Sequence, residues 1–344
     1  MTETLESIAA RMVAPGKGIL AADESNSTIK KRFDAIGLAS TEETRRDYRE
    51  MLFRADEAMH NYISGVILYD ETIRQKAKDG TPLVELIARS GAVPGIKVDK
   101  GAWRLAGTQG ETVTEGLDNL RDRLAEYYGL GARFAKWRAV YDITGPGTPS
   151  HNCINANAHA LARYAALCQE ANIVPIVEPE VLMDGPVAAH DIDTCYRVTE
   201  WVLKSVFEQL YYAGVRLEGM VLKPNMAIPG KNATRKASPQ EVAEKTVKLL
   251  KNCVPPAVPG IAFLSGGQSD VEATEHLSLM NAMGPLPWAL TFSYGRALQS
   301  AAIKAWGGKP ENVAAGQRAF THRARMNSLA ARGAWSQAEE KKAA

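Results

Sequence analysis

Eight short apolar runs, each bounded by glycine, proline or charge, constrain this 344-residue chain more than any other feature. They are KGILAAD (17–23), ISGVILYD (63–70), VPGIKVD (93–99), ARFAKWRAV (132–140), IVPIVEPE (173–180), EGMVLKP (218–224), GIAFLSGG (260–267) and WALTFSYG (288–295). Runs this short and this rich in Val, Ile and Leu read as strands buried on both faces. Such strands belong to parallel sheets covered by helices.

Helical patterns separate the runs. Ser40 with Glu43 reads as a capping box ahead of the stripe Met51, Leu52, Ala55, Met59 and Tyr62. Ser238-Pro239-Gln240-Glu241 combines an N-cap, a proline at the first helical position and a returning glutamate. Leu117, Leu120, Leu124 and Tyr128 mark another helix, with Gly129 as its terminator. Strand followed by helix, eight times, predicts an α/β protein: a single-domain (β/α)8 TIM barrel over residues 1–344, with an N-terminal helix and a C-terminal helical tail. Residues 331–344 are expected to form a flexible C-terminal tail. The competing doubly wound open sheet lacks support, because no G-x-G-x-x-G follows the first strand and no G-x-x-x-x-G-K-[ST] occurs.

Composition excludes several function classes. Lys and Arg are dispersed and the net charge is only +2, so there is no basic footprint for nucleic acid or a membrane surface. Cys153, Cys168, Cys195 and Cys253 form no CxxC pair, which argues against a zinc ribbon or redox motif and for a reducing compartment. The N-terminus lacks a basic and apolar leader pattern, and no run approaches the ~18 apolar residues that span a bilayer. A cytoplasmic location is expected.

Catalytic groups of a barrel sit at the C-terminal ends of its strands. There the sequence places Asp23, Lys97, Lys136 with Arg138, Glu178 with Glu180, Lys223, and Arg296 just beyond Ser293. Taken singly, each is an ordinary solvated rim residue. Lys136 and Arg138 share one side of a strand, as do Glu178 and Glu180 unless Pro179 bends the chain. Amines and carboxylates converging on one pocket suit Schiff-base chemistry, in which a neutral lysine attacks a carbonyl while an acid and base move protons. At a pKa near ~10.4 only about one lysine in a few thousand is neutral at pH 7. Burial and a neighbouring cation correct this. Lys223, in the most apolar lysine-bearing strand, is the candidate nucleophile, and Lys136 the neighbouring cation.

The last two strands offer an anion site. FLSGGQSD runs into two glycines and a helix capped by Ser269 with Glu272, so free N–H groups converge beside Ser293 and Arg296. A phosphorylated substrate fits this pattern; an ordinary glycine turn is the alternative. Metal chemistry has little to rest on, since His151 and His159 make no HxH or HExxH motif. No cofactor is expected. An isomerase or metal-assisted lyase using Glu178, and a sugar-phosphate-binding protein without turnover, remain as alternatives.

LAADES, GIKVDKG, AKWR, VPIVEPE, VLKPN, FLSGGQS and PWALTFSYGRALQ occur in the order found in class I (Schiff-base) fructose-bisphosphate aldolases, which the chain resembles over roughly residues 5–330. The resemblance implies a metal-independent, glycolytic and gluconeogenic enzyme that reversibly cleaves fructose 1,6-bisphosphate to dihydroxyacetone phosphate and glyceraldehyde 3-phosphate. It implies Lys223 as the imine-forming residue, Glu178 as the acid/base at the C4 hydroxyl with Glu180 in support, and Asp23 as a substrate-orienting group. Lys136 would stand beside the nucleophile, with Arg138 as a structural partner. Ser265, Gly266, Ser293 and Arg296 would hold the C1 phosphate; Ser25, Thr28, Arg32 and Lys97 would hold the C6 phosphate. A homotetramer is also implied. One departure is visible: animal members end in a tyrosine implicated in proton exchange on the enamine, whereas this tail reads GAWSQAEEKKAA and the last tyrosine is Tyr294.

Overall fold

The computed structural model describes residues 3–185 and 187–342. Its strands, in chain order, are β1 (Gly18–Ala22), β2 (Ile63–Leu68), β3 (Val93–Lys97), β4 (Ala102–Arg104), β5 (Thr112–Thr114), β6 (Phe134–Tyr141), β7 (Val174–Val181), β8 (Val221–Leu222), β9 (Gly260–Phe263) and β10 (Ala289–Tyr294). Eight of them close a parallel barrel in the order β1-β10-β9-β8-β7-β6-β3-β2, and these are the eight expected from the apolar runs. The remaining two, β4 and β5, pair antiparallel as a hairpin that the sequence reading did not anticipate.

Two apolar layers follow from the strand alternation. One face of each barrel strand packs under the surrounding helices; for example, Trp137 and Tyr164 meet with ring centroids 5.5 Å apart. The opposite face fills the barrel: Ile19, Ala21, Ile67, Val93, Phe134, Val174, Ile176, Val221 and Ala262 form a second cluster with the N-terminal helix Leu5–Met12 beneath it. Phe134 is the largest of these plugs. It fits because Gly95 faces it from β3, where an added Cβ would stand 2.3 Å from the ring. Interiors packed at crystal-like density leave no such gap to spare.

Helix boundaries show where local pattern was read one register out. The helix Glu42–Phe53 is capped by Thr41, not Ser40, and its reciprocal partner is Thr44, not Glu43. Ser238 caps Pro239–Cys253 as expected, but Glu241 does not return to the cap; its carboxylate pairs with Arg235 at 2.7 Å. The Ser269–Glu272 capping box is present. The helix Leu120–Gly129 contains Gly129, and the left-handed turn after it is taken by Gly131 at φ +105°. Strand β8 is only two residues long, yet its ladder continues: Lys223 N–H donates to Val177 O at 2.8 Å, and Pro224 O accepts from Leu264 N–H at 3.2 Å. No described helix is long and apolar enough to cross a membrane.

Candidate active site

The same inward face that is apolar at the bottom of the barrel becomes charged at its top. On β6 the inward positions run Phe134, Lys136, Arg138; on β7 they run Val174, Ile176, Glu178, Glu180. Both register pairs, Lys136 with Ile176 and Arg138 with Glu178, lie in an unbroken ladder, so Pro179 does not bend the strand and both glutamates face the cavity. A cavity of about 430 Å³ opens there, and every site residue expected from the sequence lines it: Asp23, Ser25, Thr28, Arg32, Lys97, Lys136, Arg138, Glu178, Glu180, Lys223, Ser265, Gly266, Ser293 and Arg296.

Four of these residues form a buried line of alternating charge. Lys136 Nζ lies 2.8 Å from Asp23 Oδ2 and 3.1 Å from Glu178 Oε2, and Lys223 Nζ lies 3.1 Å from Glu178 Oε1. Lys223 is only 4% exposed and Glu178 3%. Burial alone would raise the Asp23 carboxyl, but the Lys136 and Lys223 ammoniums outweigh it and hold Asp23 far below the ordinary range. Burial likewise pushes Glu178 up, and Lys136, Lys223 and Arg138 bring it below its usual value. For Lys136 burial favours the neutral amine, while Asp23, Glu178 and Asp99 hold it charged well above the normal lysine range. Glu178 Oε2 has no partner in hydrogen-bond geometry despite its burial. An ionised, buried oxygen with free acceptor capacity is suited to take a proton from a ligand.

Barrel order separates the phosphate candidates from this line. Counting around the closed sheet, β9, which leads into Ser265 and Gly266, is four steps from β3, which carries Lys97, in either direction. Ser265 and Gly266 therefore face Lys97 across the mouth, with β10, β1 and β2 on one arc and β8, β7 and β6 on the other, while Ser293 and Arg296 at the end of β10 neighbour the Ser25, Thr28 and Arg32 segment that follows β1. Ser293 Oγ on β10 is 1% exposed and has no hydrogen-bond partner, a buried hydroxyl left open toward the cavity. Arg296 Nη2 donates to Gln268 O at 3.4 Å, which ties it to the glycine turn. His276 Nδ1 lies 2.6 Å from Gln268 Oε1 and steadies that turn from below. Ser25 caps the helix Asn26–Asp34, its Oγ 3.1 Å from Thr28 Oγ1, so both hydroxyls meet at a helix start.

Sequence reasoning missed two carboxylates that hold the anion-site cations. Asp99 Oδ1 is 2.7 Å from Lys97 Nζ, and Asp99 Oδ2 accepts from Arg138 N–H at 3.3 Å. Glu24 Oε1 is 2.5 Å from Arg32 Nη1 and accepts from Gln299 Nε2 at 2.9 Å, while its Oε2 is 3.5 Å from the buried Arg49. Asp99 was findable, because it stands two residues beyond Lys97 on an extended segment and so on the same side. Glu24 lies next to Asp23, and local spacing alone gave no reason to choose it. Tyr294 is fully buried and its hydroxyl donates to Ala273 O at 3.0 Å, so it does not face the cavity.

The family described as fructose-bisphosphate aldolase class-I matches the chain over residues 4–344. A relative from Xanthomonas campestris pv. campestris, named "Probable fructose-bisphosphate aldolase class 1", is 59% identical over 334 residues, covering 97% of this chain and 98% of its own. The fructose-bisphosphate aldolase of Echinococcus multilocularis is 54% identical over 326 residues, covering 94% and 89%. Among solved structures, the Plasmodium falciparum fructose-bisphosphate aldolase, crystallised with TRAP and a small-molecule inhibitor, superposes with a TM-score of 0.93 at 50% identity, covering 96% of this chain and 95% of that one.

Proposed function

The chain belongs to the class I fructose-bisphosphate aldolases and is a lyase, and from that premise we propose that it cleaves fructose 1,6-bisphosphate through an imine on Lys223. The observation that carries this reading is the buried Lys223 Nζ, 3.1 Å from the Glu178 carboxylate at the mouth of the cavity.

The steps balance with the residues present. Lys223 passes one proton to Glu178 across their 3.1 Å contact and the freed amine adds to the C2 carbonyl; Glu178 returns that proton to the departing hydroxyl, and loss of water leaves a protonated imine. Glu178 takes the C4 hydroxyl proton as the C3–C4 bond breaks; the bonding pair moves into the iminium and glyceraldehyde 3-phosphate departs. The resulting enamine takes at C3 the proton that Glu178 now holds, and water hydrolyses the imine to release dihydroxyacetone phosphate and regenerate the Lys223 ammonium. Lys136, charged between Asp23 and Glu178, stabilises the alkoxide that develops at C4. Ser265, Gly266, Ser293 and Arg296 take one phosphate, and Ser25, Thr28, Arg32 and Lys97 the other, with Ser265 and Lys97 on opposite sides of the mouth. Glu180 and Arg138 pair with each other beside Glu178 and keep it oriented. Tyr294 is not the enamine's proton donor, because its hydroxyl is committed to Ala273.

Borohydride reduction in the presence of dihydroxyacetone phosphate tests the mechanism. The expected result is inactivation with one adduct on Lys223 by mass spectrometry. An adduct elsewhere, or none, overturns it. Activity is expected to persist in EDTA; loss in EDTA with recovery on zinc would favour the metal-assisted alternative. Cleavage rates on fructose 1,6-bisphosphate, sedoheptulose 1,7-bisphosphate and fructose 1-phosphate fix the substrate. A cytoplasmic, glycolytic and gluconeogenic role and a homotetrameric assembly belong to the same reading; the expected flexible tail over 331–344 is packed in its described part, where Glu340 pairs with Arg323 and Trp335, and residues 343–344 lie outside the described residues. Fractionation, sedimentation and limited proteolysis test them.

A further inference from the structure

The C-terminal segment makes a contact that the catalytic scheme does not use. Arg323, on the helix Val313–Ala330, is 4% exposed, and its guanidinium spans two other parts of the molecule. Inward, Nη2 donates to Asp270 O at 3.1 Å and to Thr274 Oγ1 at 2.7 Å, both in the first turns of the helix Asp270–Ala282. Thr274 Oγ1 also lies 2.8 Å from Asp270 O and 2.9 Å from Asn327 Oδ1, so the junction is a shared polar network inside the packed helices, with Arg323 Nε alone left unpaired. Outward, Nη1 pairs with Glu340 Oε1, while Glu340 Oε2 accepts from Trp335 Nε1 at 2.9 Å. Glu340 itself ends the short helix Gln337–Glu340, capped by Ser336.

The helix that Arg323 grips is the one the glycine turn feeds. Ser265, Gly266, Gly267 and Gln268 lead directly into Ser269 and Asp270, and Gln268 O is the group that Arg296 bonds. Anything that shifts Asp270 therefore shifts the carbonyl that holds Arg296 and the N–H groups that converge beside it. A buried guanidinium keeps one geometry only while its counter-charge is in place. Glu340 is its only carboxylate within ion-pair distance among the described residues.

We propose that Glu340 is a positioning residue for phosphate binding: through Arg323 it fixes the start of the helix Asp270–Ala282 and so the geometry of the anion site at Ser265, Gly266 and Arg296. The inference rests on the reading that this site holds a substrate phosphate. It makes the C-terminal segment a determinant of affinity without bringing it into the cavity.

Kinetics on the full-length chain test it, with inorganic phosphate as the probe. In Glu340→Ala, KM for fructose 1,6-bisphosphate and the inhibition constant for inorganic phosphate should both rise by roughly fivefold to tenfold, with kcat within about twofold of the parent. Glu340→Gln should fall between the two, and serves as the readout if the alanine variant does not fold. A lowered Tm with unchanged KM and unchanged phosphate inhibition assigns Glu340 a structural role only and overturns the proposal. Ser293→Ala and Arg296→Lys separate the two layers of the argument. If they weaken phosphate inhibition while the Glu340 variants do not, this inference alone falls; if they also leave it unchanged, the reading of the anion site falls and takes this inference with it.

Discussion

Lys223 Nζ and Glu178 Oε1 lie 3.1 Å apart, both on side chains at least nine-tenths buried. A single carboxylate thus touches the amine that attacks and stands ready for the proton released when carbon–carbon cleavage occurs. Its second oxygen faces Lys136 and keeps acceptor capacity free. Proximity of this kind supplies catalysis without reorganisation at the moment of reaction.

Replacing Glu178 by glutamine keeps the shape and removes the proton acceptor. Steady-state cleavage of fructose 1,6-bisphosphate should lose about 10²- to 10⁴-fold in kcat, with KM changed only a few-fold. A kcat close to the parent's would remove Glu178 from the acid/base role.

Ser293→Ala should separate affinity from stability. The hydroxyl is buried without a partner, so its removal costs the free protein nothing and leaves Tm equal or higher. KM should rise about fivefold to tenfold, the size of one lost hydrogen bond of ~1–1.5 kcal/mol. Calorimetry and kinetics on the same preparation check both halves, and a fall in Tm contradicts the argument.

His276 predicts a pH dependence of stability. Burial lowers its pKa to about 4, with Glu272 opposing only weakly. Depressed below the unfolded value of ~6.5, it leaves the unfolded chain binding more protons across that interval. Its stabilisation is complete above pH ~6.5 and is lost as pH falls toward 4. Asp23 and Glu178, also depressed, lose theirs only at lower pH, below their unfolded values near ~4. Urea unfolding of His276→Gln should show a slope shallower by up to one proton between pH 6 and 4.5; an unchanged slope would show that another group titrates there.

Gly95→Ala drives a Cβ to within 2.3 Å of the Phe134 ring. Overpacking on a closed barrel should cost about 1–3 kcal/mol, read as a lower urea midpoint at constant m. Adding Phe134→Leu should recover part of the loss. Full stability in the single variant would mean that the ring relaxes freely.

The barrel was legible because periodicity and punctuation survive at every strand, and the strand-end charges could be read once the fold was accepted. What escaped depended on tertiary choice. Around Ser40, Thr41, Glu43 and Thr44 two overlapping cap registers are chemically equivalent, and the packing of the following helix decides between them. The β4–β5 hairpin has three-residue strands, and β4 is exposed throughout, so it carries no hydrophobic signature. Glu24 escaped because its partners, Arg32, Arg49 and Gln299, reach it from distant parts of the chain. The shortness of β8 escaped for the converse reason: the whole apolar run reads as strand, but only Val221 and Leu222 pair with β7, and only Leu222 of these with β9.

The alternating line of Asp23, Lys136, Glu178 and Lys223 sums to zero charge; Lys97 adds its field to Asp23, while Arg32 and Arg296 form an outer set beyond it. Bond-making and substrate retention are thereby assigned to two sets of side chains with separate electrostatic accounts. Changes to the outer set act on which sugar phosphate is retained and leave the proton inventory of the inner set intact. Substitutions drawn one from each set should combine additively in their free energies, as independent sites do. An architecture of this kind can diversify its diet without relearning its chemistry.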